Sequence, residues 1–86
     1  MSVETYKKQL VDLRARLARE KEAKKNDNER YAGYIKNAST TTTKASYRKA
    51  KIDRAASHDR TIESLKRQID SVKSQLARER ERAKRK

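Results

Sequence analysis

Residues 37–46 read NASTTTTKAS, four consecutive threonines inside a chain that otherwise reads as charged helix. Whether the chain turns here decides the fold. Ser and Thr are mediocre in helix interiors but good at N-caps and turns, where their hydroxyls satisfy orphan backbone amides. Asn37 reads as a helix C-cap, and Ser39 through Thr43 offer several N-caps for a second helix. Gly33 is a rival stopping point, so the first helix is expected to end between residues 32 and 38. A single unbroken helix also fits this stretch, because the chain contains no Pro.

Outward from the threonines, the flanks favour the turn. Tyr6, Leu10, Leu13 and Leu17 recur at spacings of four, three and four, and Ile62, Leu65, Ile69, Val72 and Leu76 at three, four, three and four. Both are the narrow a/d stripe of a coiled-coil seam. Partners across an antiparallel hairpin have residue numbers with a constant sum. Tyr6 with Leu76, Leu10 with Val72, Leu13 with Ile69 and Leu17 with Leu65 all sum to 82. Half of that is 41, inside the threonine run. The expectation is therefore all-α: one antiparallel two-helix hairpin over residues 1–86. Its first helix runs over about 3–36, its bend over about 37–42 and its second helix over about 42–84. Pairs in acid-first i,i+4 order support helix on both arms: Glu4–Lys8, Asp12–Arg16, Glu20–Lys24, Glu63–Arg67 and Glu81–Arg85, each worth ~0.3 kcal/mol.

The same register carried inward sets Glu20 by Ile62, Lys24 by His58 and Asp27 by Ala55, polar residues where a stable seam would hold Leu. Two readings apply. The favoured one is a solvated section in which the helices splay or rest on Ala23, Ala55 and Ala56. The other is a polar layer that fixes register or receives a partner's charges. His58, alone and without Cys, cannot build a metal site and is expected to be an ordinary polar helix residue. Nearer the apex, Tyr31, Tyr34, Ile35, Tyr47 and Ile52 are expected to pack together, the tyrosines as apolar bodies with wet hydroxyls.

The chain holds 86 residues, 43% of them charged, with 25 Lys and Arg against 12 Asp and Glu for a net charge of +13. A two-helix chain of this size buries too little apolar area to be robust alone. Association into a four-helix bundle or larger helical assembly is expected, by self-association or with a helical protein partner. No stretch approaches the ~18 apolar residues of a membrane span, and without Cys a reducing, cytoplasmic setting is expected. There is no Gly-rich phosphate loop, no HExxH and no Gly-flanked Ser, so neither an enzyme nor a cofactor or metal site is expected. Residues 44–86 carry 15 basic and 6 acidic side chains, net +9, against 10 and 6, net +4, over 1–43. Arg78, Arg80, Arg82, Lys84, Arg85 and Lys86 form a basic arm expected to run beyond its partner helix. They are the candidates for weak, non-specific nucleic-acid contact.

The order YKKQLVDLRARLAREKEA, then ASTTTTKASYRKAKIDR, then a second amphipathic helix resembles the N-terminal helical-hairpin segments of bacterial Toll/interleukin-receptor-like and related defence-signalling proteins. That resemblance implies an assembly or partner-docking domain. By size the chain is also similar to the small secreted helical-hairpin proteins of type VII secretion, though it has no Trp-x-Gly at the bend. From the residues themselves, the leading expectation is a non-enzymatic interaction and oligomerisation module assembling through the Leu/Ile seam. The alternative is a basic helical nucleic-acid binder.

Overall fold

The computed structural model describes residues 2–85 as two helices, α1 over Val3–Asn37 and α2 over Thr41–Lys84, joined by a turn at residues 38–40. The all-α hairpin anticipated from the stripes is the fold observed. The molecule measures 70 × 14 × 13 Å along its principal axes. That length is what the 44 residues of α2 span at ~1.5 Å each.

Both helices begin with the same local chemistry. Ser2 Oγ accepts from the Thr5 backbone N–H at 3.2 Å, and Thr40 Oγ1 accepts from the Thr43 N–H at 3.1 Å. Each cap residue is extended and satisfies one of the orphan donors of a first turn. Of the threonine run, Thr40 is therefore the cap and Thr41 to Thr43 form the first turn of α2.

At the first helix end, within the expected 32–38, the rival stop is not used and the cap falls one residue later than Asn37. Gly33 lies inside α1 rather than stopping it, and open space surrounds the position its Cβ would take. Asn37 is the last helical residue, and Ala38 leaves the helix in an extended conformation. No described residue has a positive φ, so the left-handed cap that Asn or Gly would favour is not used.

Contacts across the hairpin report its register. Arg54 with Asp27 and Tyr34 with Tyr47 sum to 81, and Lys24 with Asp59 to 83. His58 reaches Glu20 and Asp27, sums of 78 and 85, one turn to either side. These values bracket the 82 of the Leu/Ile pairing.

Candidate interaction surfaces

The seam end is built as its spacing requires. Leu10, Leu13, Ile62, Leu65, Ile69 and Leu76 are buried, and all but Ile62 form one cluster against which the partly buried Tyr6, Leu17 and Val72 pack. Val3 joins them, extending the stripe three residues before Tyr6. No side chain among the described residues is fully enclosed. Two helices cover each other's facing stripe, and grooves flank it at Leu13 and Val72 on one side and at Leu10 and Leu76 on the other.

The centre of the hairpin is a polar layer, not the solvated splay expected from its composition. Asp27 is buried, and Glu20 and His58 are half-buried. His58 Nδ1 lies 2.6 Å from Glu20 Oε1, and its Nε2 lies 2.6 Å from Asp27 Oδ2. Ionised carboxylates can only accept, so both contacts are hydrogen bonds when both ring nitrogens carry protons and donate, the imidazolium then bridging two turns of α1. Arg54 adds a contact of 3.3 Å to Asp27 from α2, and Arg30 one of 3.6 Å from α1. The Arg54 guanidinium also stands 5.6 Å over the Tyr31 ring, joining this layer to the aromatic one by a cation–π contact.

The electrostatics follow from these partners. Hydrogen bonds to Asp27 and then Glu20 hold the His58 pKa above its ordinary 6.5 against the opposing effect of burial. The hydrogen bond from His58, helped by Arg54, holds the Asp27 carboxyl below its ordinary 3.8. No buried side-chain nitrogen or oxygen among the described residues lacks a partner. His58 is thus the keystone of the layer rather than an ordinary polar helix residue. A sequence signal existed: acids seven apart, Glu20 and Asp27, flank the position that the register assigns to His58.

That layer redirects one of the expected i,i+4 pairs, Glu20–Lys24. Glu20 is taken by His58, and Lys24 crosses to Asp59 at 2.6 Å. Glu4 pairs with Lys7 at 3.5 Å, and only Glu81–Arg85, at 3.7 Å, forms among the five anticipated pairs.

Toward the apex, Tyr31, Tyr34 and Tyr47 make a three-ring cluster with centroids 5.2 to 6.3 Å apart, and Ile35 is half-buried. Ile52 stands at their edge: it is 68% exposed and meets only the rim of a groove that it lines with Ile35. Counting back from Ile62 by fours and threes gives 58, 55 and 51, so Ile52 stands one residue, or about 100°, off the seam.

At the open end, Arg78, Arg80, Arg82, Lys84 and Arg85 are all exposed, and Lys86 lies outside the described residues. The overhang of the arm is shorter than expected. Ser2 and Val3 share a groove with Glu79, Arg82 and Ala83, so α1 accompanies α2 as far as Ala83. Glu79 holds Arg82 at 3.4 Å, and among the described residues Arg78, Arg80 and Lys84 make no ion pair.

No helix among the described residues is long and apolar enough to cross a membrane, and no group of His, Cys, Asp or Glu among them could hold a metal ion. Compared with known protein families, curated proteins and solved structures, the chain finds no match.

Proposed function

We propose that this chain is a non-enzymatic helical interaction module, a stiff hairpin whose Leu/Ile layers are completed by helices from outside the chain. The observation that carries this reading is that a two-helix rod this thin encloses no side chain fully among the described residues, and grooves flank its Leu/Ile seam on both sides. Adding one or two helices buries those flanks and supplies stability that a chain of this size lacks alone. His58 supports a structural role too, because both ring nitrogens are occupied by carboxylates and neither is free to serve a substrate. The resemblance to the helical hairpins of defence-signalling proteins implies the same kind of task.

The test is the concentration dependence of thermal unfolding, followed by circular dichroism at about 0.5 M salt, where repulsion between chains of charge +13 is screened. The midpoint is expected to rise with protein concentration, as it must when the folded state associates. Leu13→Asp or Ile69→Asp should abolish that rise together with most helicity, whereas Arg80→Ala should leave both. A cooperative, concentration-independent midpoint for a sedimenting monomer would refute self-association, and would refute the reading itself if no added helical peptide raises that midpoint.

A second reading rests on the exposed and unpaired Arg78, Arg80 and Lys84: polyanion contact by the basic end of α2. Interleaved Glu79 and Glu81 oppose phosphates there, which ranks it below assembly.

A further inference from the structure

The two flanks of the Leu/Ile seam are chemically different. On one, a groove of about 500 Å³ has Leu10, Val11 and Leu76 as its floor and Lys7, Arg14, Lys73 and Arg80 as its walls, with no acid among its lining residues. On the other, Gln9, Asp12, Gln68 and Ser71 line the groove with a single cation, Arg16.

The four cations of the first groove are ordered. Lys7 and Arg14 are seven residues apart on α1, and Lys73 and Arg80 are seven apart on α2, or about 10.5 Å in each helix. Lys7 with Lys73 sums to 80, close to the register of 82, so these two face each other across the groove, and Arg14 and Arg80 lie about two turns further along it, one at each end. Lys7 has Glu4 at 3.5 Å, but Arg14, Lys73 and Arg80 are within ion-pair distance of no carboxylate among the described residues. Between these walls Val11 is 65% exposed, an uncovered apolar side chain at the centre of a cationic frame.

We infer that this groove docks an acidic amphipathic helix from a different protein, with apolar residues over the exposed Val11 and Ala77 and Glu or Asp along both edges at heptad spacing. The inference rests on the interaction-module reading and selects its partner by charge. A second copy of the chain would bring another +13 and, groove to groove, four more cations against these four. Even its other flank offers only Asp12. A phosphate backbone would satisfy the cations but leave the apolar floor uncovered. An acidic helix satisfies both and completes a three-helix bundle, with side chains from one face of the visitor reaching the groove as i, i+3/4, i+7 anchors.

The probe is a synthetic helix of about 20 residues with a Leu stripe and Glu on both edges, titrated into the full chain by calorimetry at low and moderate salt. Its binding should exceed that of a peptide of equal composition with the Leu positions scrambled by at least about tenfold. Lys73→Glu and Arg80→Glu should each weaken it by about tenfold or more at unchanged helicity, and Val11→Asp should do the same from an exposed site. Asp12→Lys, on the opposite flank, should leave it within about twofold. Equal affinity for the scrambled peptide, polyglutamate or a DNA duplex would overturn the inference, as would indifference to Lys73→Glu and Val11→Asp. If the Leu/Glu helix fails to bind while the chain still gains stability with its own concentration in salt, the acidic-partner inference falls alone. If that gain is also absent, the interaction-module reading falls with it.

Discussion

The same substitution at two isoleucines of α2 separates the seam from its surroundings. Ile→Ala removes three carbons, worth about 2.4 kcal/mol at ~0.8 kcal/mol each when fully buried. Ile69 is 7% exposed and Ile52 68% exposed, leaving 93% and 32% of that to be lost, or about 2.2 and about 0.8 kcal/mol. Ala is the better helix former by about 0.4 kcal/mol, which offsets part of both losses. The net destabilisation is about 1.8 kcal/mol for Ile69→Ala and about 0.4 kcal/mol for Ile52→Ala. A cavity contribution is small because the layer at Ile69 is open on its flanks and can relax or admit water. The difference of about 1.4 kcal/mol is tenfold in the folding equilibrium. At about 4–8 °C per kcal/mol, Ile69→Ala lowers the midpoint by roughly 7–14 °C and Ile52→Ala by only a few degrees. Urea and thermal melts at one fixed, low protein concentration measure both without a contribution from association. Equal losses at the two sites, or a larger loss at Ile52, would mean that α2 is rotated about its axis by one residue and that the register described above is wrong.

Stability should also depend on pH through the polar layer. His58, its pKa raised by Asp27 and Glu20, stabilises the hairpin fully below its ordinary 6.5, and this is lost as pH rises through the raised value. Asp27, its pKa lowered by His58 and Arg54, stabilises above 3.8, and this is lost as pH falls through the lowered value. The thermal midpoint should therefore be highest between about pH 4 and pH 6.5, and His58→Gln should remove the alkaline decline. A pH-independent midpoint in the native chain from 5 to 9 would contradict the layer. Gly33→Ala should stabilise by about 0.5–1 kcal/mol, since the site is helical with open space for a methyl group. Thr40→Ala should cost about 1 kcal/mol by removing the cap of α2; denaturant midpoints read both, and opposite signs would refute the local geometry. Fluorescence anisotropy with two unrelated duplexes should show binding that is weak near physiological salt, steeply salt-dependent and indifferent to sequence. Tight, discriminating binding would make nucleic acid the main partner.

Leu10, Leu13, Ile62, Leu65, Ile69 and Leu76 were legible because an apolar stripe at three–four spacing has few places to hide, and only a turn near residue 41 brings the two stripes together. The threonine run agreed from a separate cause, its hydroxyl chemistry. The polar layer was not legible by the same reasoning, which pairs each residue with the one opposite. Long side chains instead reach a turn up or down, so His58 passes Lys24 to meet Glu20 and Asp27, while Lys24 leans to Asp59. Ile52 was read through composition: apolarity suggested packing, but the heptad count sets it at the edge. The contrast between the two flanks of the seam needed the structure, because Lys7, Arg14, Lys73 and Arg80 are ordinary surface cations until the hairpin brings them around one apolar floor.

The turn at residues 38–40 has a geometric consequence for whatever adjoins the hairpin. Because Val3 and Ala83 line one groove, positions eighty residues apart along the chain are neighbours in space, and both ends of the described chain leave from the same pole. The threonine apex sits at the other, about 60 Å away at ~1.5 Å for each residue between them. Anything tethered at either end is thus held beside the basic residues of α2, while the apex projects outward as the tip of a stalk. A label on Ser39 and a label on Ser2 would be far apart in space, whereas labels on Ser2 and Ala83 would be close. The molecule converts sequence distance into proximity at one end and reach at the other.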